Sequence, residues 1–201
     1  MGSSRSAPRA SPGEDGASMI VDVHCHAFGD GSGIGDPFKS DSNRAHGGAE
    51  VSLDTSLERY FETSPADTRT VVIGGKARRS GLWVDDATIA ATVAEAPDRL
   101  IGYCAIDPTQ PGWADELRFG REELGLRGVK IMPMYAGFDP ADPAYDDFWT
   151  YVTRHAMPVL AHTGTTFVSA APLRWGHPEA LDEVAMRHPE ARIVLAHPGG
   201  H

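Results

Sequence analysis

No apolar run in this 201-residue chain reaches the roughly 18–20 residues that a membrane-spanning helix needs, so a membrane is not an expected partner. Cysteine is scarce: Cys25 and Cys104 are too few for a disulfide framework. Positive charge is also short. Eighteen Lys and Arg stand against 28 Asp and Glu, a formal net charge of −10, whereas phosphate recognition needs clustered cations. Nucleic acid is therefore excluded as an expected partner. Residues 1–18 are rich in Ser, Ala, Pro and Gly and lack the apolar stretch of about 7–15 residues found in a secretory signal. They are expected to be a disordered tail before one domain spanning 19–201. The expected protein is soluble and cytoplasmic, acts on a small molecule, and is a candidate homodimer.

What is there, with 41% apolar residues, is one pattern repeated from Met19 onward: a short apolar run, a loop, then an amphipathic helix. The runs at 19–24, 70–74, 100–106, 128–132, 158–162 and 192–197 are near-continuously apolar and bounded by Gly, Pro or Asp. That is how strands buried on both faces read. Between them, Asp85 and Asp86 suit a helix start, and Pro97 ends that helix. Pro111 opens another that Gly125 closes, and a helix from about Pro143 carries Tyr145, Phe148, Trp149 and Val152 on one stripe. Pro178 opens the last, with Leu181, Val184 and Ala185 facing inward. Alternating strands and helices predict an α/β fold with a parallel sheet and right-handed crossovers. Composition leaves an open doubly wound sheet and a closed barrel both standing. Between His26 and Leu53 the chain reads as a long Gly-, Asp- and Ser-rich connection, of the kind that is usually functional.

Histidines supply the chemistry. In Ile20-Val21-Asp22-Val23-His24-Cys25-His26, strand alternation puts Asp22, His24 and His26 on one face and Cys25 on the other. Imidazoles at i and i+2 lie about 6.5 Å apart at Cα, close enough to converge on one ion. Asp22, deeper on the strand, is read as a core hydrogen-bonding group. His162 and His197 each end an apolar strand and precede a Gly-containing turn. Metal-capable side chains at the carboxyl ends of several parallel strands suit a barrel active site. This placement favours the barrel over the open sheet.

The segments Asp22-Val-His-Cys-His26, Arg127-Gly-Val-Lys-Ile131, Pro158-Val-Leu-Ala-His-Thr-Gly164 and Val194-Leu-Ala-His-Pro-Gly-Gly200 resemble the amidohydrolase-related superfamily. Within it they resemble the aminocarboxymuconate semialdehyde decarboxylase-like branch. The resemblance implies a (β/α)8 TIM-barrel type, here incomplete with about six of eight units present. It also implies one divalent metal ion, zinc first, held by His24, His26 and His162, with His197 as the catalytic acid or base. Three neutral imidazoles leave an open coordination position, and a water there ionises near pH 7. The expected function is metal-dependent hydrolysis, with activated water attacking an ester, lactone, amide or related carbonyl. Non-oxidative decarboxylation in the same site is the alternative. The resemblance also implies a metal-completing Asp on an eighth strand, which is not in the sequence. The chain is accordingly expected to be truncated or degenerate, and inactive if so. Lys130, on the fourth strand, is expected to act structurally or toward a substrate anion, a carbamylated metal bridge being the alternative. The loop at 163–176 carries Phe167, Arg174 and Trp175, and Arg174 and Trp175 are read with Phe28 as candidate substrate contacts. His46 in the first loop is a weaker candidate.

Overall fold

The structure, a computed structural model, describes residues 19–27, 29 and 31–197; the expected tail at 1–18 and Phe28 lie outside the described residues. Six apolar runs form the strands β1 (Ile20–Cys25), β2 (Thr68–Ile73), β5 (Leu100–Ile106), β6 (Gly128–Ile131), β7 (Val159–His162) and β8 (Ile193–Ala196). They lie in the order β1-β2-β5-β6-β7-β8, and every neighbouring pair is parallel. Between β2 and β5 come the hairpin strands β3 (Lys76–Ala77) and β4 (Leu82–Trp83) and helix α3 (Asp86–Glu95). Helix α4 (Trp113–Glu122) joins β5 to β6, α5 (Pro133–Ala136) and α6 (Asp146–Arg154) join β6 to β7, and α7 (Glu179–Arg187) joins β7 to β8. Among the described residues no helix is long and apolar enough to cross a membrane.

The sheet is rolled. Six strands about 4.8 Å apart would hold the first and last about 24 Å from each other if flat. Yet the rings of His24, on β1, and His197, just past β8, are 4.7 Å apart. β1 and β8 share no ladder, so the six strands form a nearly closed, incomplete TIM-type barrel, as expected from the sequence.

Strand alternation divides the core in two. Val71, Ile73, Leu160 and Ala196 form an inner cluster, with Ile101 and Tyr103 against it. The alternate residues Val72, Cys104, Val129, Ile131, Val159 and Ala161 pack outward with the helices. The helices answer with Leu117 from α4, Phe148, Trp149 and Val152 from α6, and Leu181 and Val184 from α7. Each such side chain, fully buried, contributes about 1.5–3 kcal/mol. Trp149 also donates its indole N–H to the Pro140 carbonyl at 2.8 Å, so its one polar atom is satisfied.

Three local expectations are corrected. The segment after His26 is not irregular throughout: it contains α1 (Asp36–Ala45), followed by α2 (Leu57–Thr63). Pro37 opens α1, and His46, Gly47 and Gly48 end it, the two glycines at positive φ. Ala185 on α7 is exposed, because among the described residues no element covers that side of the helix as far round as the sequence stripe implied. Asp85 makes no side-chain cap of α3, and Asp86 turns inward instead. It accepts from the Ala105 amide at 2.8 Å and from Lys76 Nζ at 3.1 Å, while Lys76 also reaches Glu116 at 3.1 Å. This buried cation with two carboxylates ties the hairpin to α3 and α4.

Gly128 has a steric reason. A Cβ built there would sit 2.5 Å from the Tyr103 ring, which lies across β6 inside the barrel. Gly128→Ala is expected to lower unfolding free energy by about 1–3 kcal/mol through overpacking, measured by denaturant titration. Adding Tyr103→Leu should recover part of the loss.

Candidate active site

The carboxyl ends of the parallel strands gather the histidines that the sequence singled out. β1 contributes His24 and, one residue past its end, His26. His162 is the last residue of β7, and His197 follows β8. The β1 ladder is not regular: Asp22 pairs with Thr70 and Cys25 with Val72, so three steps on β1 match two on β2. Asp22 Oδ1 accepts from the His24 amide at 3.0 Å and holds that irregularity. Asp22 is half-buried and bonds its own strand's backbone.

The four rings form a connected set. His24 lies 5.3 Å from His26 and 4.7 Å from His197, and His197 lies 5.2 Å from His162, centroid to centroid. An imidazole bound at 2.0–2.1 Å places its centroid about 3.2 Å from a zinc-like ion, so two tetrahedral ligands have centroids about 5.2 Å apart. The pairwise separations fit a metal centre. Among the described residues, however, no group of three His, Cys, Asp or Glu is gathered about one common point. The donor set fits and the shared focus is not formed. By distance alone His197 stands as close to the set as the three expected ligands do.

Burial keeps these imidazoles neutral. His24 is lowered to about 3 by desolvation, with Lys130 and the neighbouring histidines adding to it. His162 is lowered to about 3 by the same causes, desolvation first. His26 falls to about 4 through desolvation and Lys130, against a hydrogen bond to the Ile73 backbone that acts the other way. His26 keeps open surface toward a cavity while protein crowds its flanks, so both exposure and desolvation hold for it. His197 is lowered too, by desolvation and then Lys130. Neutral imidazole is the metal-binding form. His162 Nε2 is 3.5 Å from the Thr165 carbonyl, at the outer limit of a hydrogen bond.

Lys130 adds a contribution, second to desolvation, that all four rings share. Val129 and Ile131 face the helices, so Lys130 points into the barrel. It is 1% exposed, and its Nζ has no hydrogen-bond partner. Desolvation lowers it to about 7. His197 is one of only two described non-glycine residues at positive φ, at 58°. A side chain there costs about 1–2 kcal/mol, and such strain clusters at functional sites.

Above the rings opens a cavity of about 790 Å³. His26, His162 and His197 are on its surface, with Phe38 of α1, Tyr135 of α5 and Phe167 as aromatic walls. Among the described residues none that lines it is acidic. Clefts between α4 and α6 and beside Arg127 hold none of the four imidazoles.

Phe167 is at the cavity, but Arg174 and Trp175 are not among its lining residues. The Arg174 guanidinium stacks on Trp175 at 4.2 Å, and Trp175 packs against the outer core. His46 caps the end of α1, its Nδ1 2.8 Å from the Ser42 carbonyl. Phe38 and Tyr135 were missed by sequence reasoning. No local signal marks Phe38, which is a lone apolar residue in a polar helix. Tyr135 could have been found from its place just past the end of the fourth barrel strand.

The family described as amidohydrolase matches residues 21–201. No curated protein matches the chain. Among solved structures, an uncharacterised TIM-barrel protein from Bordetella bronchiseptica is similar at 21% identity and a TM-score of 0.64, over 88% of this chain and 66% of that one. A manganese-bound 5-carboxyvanillate decarboxylase from Novosphingobium aromaticivorans is 15% identical at a TM-score of 0.59, over 90% and 66%. A 4-oxalomesaconate hydratase from Rhodopseudomonas palustris is 17% identical at 0.52, over 89% and 63%. The chain thus spans 63–66% of the length of these structures, and at such identities they bear on fold alone.

The lowered imidazoles set a pH dependence for the metal-free protein. Unfolded histidines take up protons below their ordinary value near 6.5, whereas folded His24, His26 and His162 do so only near 3–4. The unfolded state therefore binds more protons across that window, and stability falls as pH drops from about 6.5 toward 4. The denaturant midpoint of metal-free protein should be lower at pH 5 than at pH 7. The double variant His24→Asn and His162→Asn should flatten that difference.

Proposed function

Because this chain belongs to the amidohydrolase family, we propose that its site performs metal-dependent hydrolysis of an ester, lactone, amide or related carbonyl bond. The observation that carries the reading is the set of four neighbouring imidazoles, three of them held well below their usual pKa, at the mouth of one barrel. His24, His26 and His162 are the proposed ligands of one divalent ion, zinc first. When bound, such an ion supplies Lewis acidity, polarising a carbonyl and easing the ionisation of water.

The chain's own residues do the rest. His197, lining the cavity and touching both His24 and His162, accepts the proton of attacking water and returns it to the leaving group. Its left-handed backbone turns the imidazole at the strand end. Phe38, Tyr135 and Phe167 hold the apolar body of the substrate and exclude water from it. Arg174 and Trp175, which do not line the cavity, are proposed only as outer contacts of a larger substrate, and Phe28 stays a proposed substrate contact on its sequence position alone.

Decarboxylation is the second reading, and Lys130 favours it. A buried amine without a hydrogen-bond partner, near enough to the imidazoles to act on them, suits a carboxylate substrate. Carbon dioxide release from candidate acids, measured beside hydrolysis of lactones and esters, separates the two.

The metal assignment is tested by elemental analysis of purified protein. About one equivalent of divalent ion is expected. Replacing both His24 and His26 by Ala should abolish it. His197→Ala should keep the ion and lose turnover by about 10²–10⁴-fold. An equal loss of metal in His197→Ala would instead make His197 a ligand.

A further inference from the structure

Helix α1 lies across the mouth of the cavity and is tied at two places. Near its start, the Gly35 amide donates to the Gly81 carbonyl at 2.7 Å, and Gly33 accepts from the Trp83 amide at 2.7 Å, fastening the helix to the hairpin. On its far side Asp41 reaches the loop after β7. Asp41 Oδ2 accepts from the Ser169 amide at 2.7 Å and from Ser169 Oγ at 2.8 Å. Its Oδ1 accepts from Arg44 Nη1 at 2.5 Å, and Arg44 Nη2 donates to the Phe167 carbonyl at 3.3 Å.

Asp41 is 7% exposed, yet it is covered by these partners at the rim and is not sunk in the core. Its carboxyl is held below the usual range, first by the Ser169 amide and then by the Ser169 hydroxyl. The contact is between a carboxylate and two donors of another segment. It fixes the separation of that segment from α1 in a way that apolar packing does not.

The consequence falls on two aromatic rings. Phe38 lies one turn before Asp41 on α1, and Phe167 lies two residues before Ser169. Their rings meet edge to face at 5.2 Å. Phe38 also stacks at 6.2 Å on Tyr135, which in turn meets His162 edge-on at 4.7 Å. The chain of rings therefore runs from the rim to the imidazoles, and Asp41 joins the two segments that carry its outer members.

We propose that Asp41 is a positioning residue that latches α1 to the loop after β7 and so sets Phe38 and Phe167 as the wall selecting flat, apolar substrate bodies. This rests on the cavity being the substrate site of a metal centre, as argued under Proposed function. Asp41 touches no reacting atom and acts through the rings.

The test uses metal-loaded protein and two probes with the same chelating group, acetohydroxamate and benzohydroxamate, with binding followed by calorimetry. Acetohydroxamate reads the metal centre; the ratio of the two affinities reads the aromatic wall. Wild-type protein should prefer benzohydroxamate by about three- to tenfold, the worth of one or two aromatic contacts. Asp41→Ala should bring that ratio near one with metal content and acetohydroxamate affinity unchanged, and Phe38→Ala should also lower the ratio. Asp41→Asn, which keeps an acceptor for Ser169, should retain most of the preference. Hydrogen exchange, which needs no ligand, should quicken in 163–172 for Asp41→Ala and not for Asp41→Asn.

Unchanged exchange in 163–172 overturns the latch. Faster exchange with an intact affinity ratio overturns the link to the wall. A wild-type protein that binds acetohydroxamate without preferring benzohydroxamate overturns the wall itself. Failure of wild-type protein to bind acetohydroxamate strikes the metal-centre reading and the wall proposal with it, leaving the exchange result to judge the latch alone.

Discussion

His24 lies on β1 and His197 just past β8, strands that share no ladder among the described residues, and only the roll of the parallel sheet brings their rings to 4.7 Å. The site inherits its geometry from that curvature. The inner cluster of Val71, Ile73, Leu160 and Ala196 fills the concave side, and large side chains on the helices press on the convex side. Gly128 leaves room for the Tyr103 ring against its backbone, two residues before Lys130. Were the sheet to flatten, the first and last strands would separate and four imidazoles would become two unrelated pairs.

The same curvature governs the electrostatics. Imidazoles crowded at one mouth lose water and stand near each other and near Lys130, and both effects favour neutrality. A flat sheet would expose them and leave them titrating close to their ordinary value. The tuning is thus a property of the fold, and among the described residues no carboxylate lines the cavity to counter it.

How much of this was legible in the sequence depended on the length and regularity of each signal. The strand at 100–106 was read to its ends because seven consecutive residues are apolar or small, and neighbouring runs agreed within about two residues. The four histidines were found because each stands where an apolar run stops, a purely local feature. Helix α1 was not found, since Phe38 is its only large apolar residue and its hold on the barrel comes from distant partners. The hairpin strands have two residues each, too few for any periodicity. Regular alternation was expected along β1, but the ladder slips between Asp22 and Cys25, which no propensity reveals. The inward turn of Asp86 was unreadable for a similar reason: an acidic residue at a helix start looks like a cap until Lys76 and the Ala105 amide are seen beside it.

The left-handed backbone at His197 sets two selective pressures against each other at one position. Glycine would relieve the conformation and asparagine would tolerate it, so a lineage released from catalysis gains robustness by discarding this imidazole. On the catalytic role proposed for His197, retaining histidine keeps a local penalty in the native state in exchange for that chemistry. If His197 acts as proposed, the residue at 197 in descendants of this chain marks whether selection still acts on chemistry or only on folding.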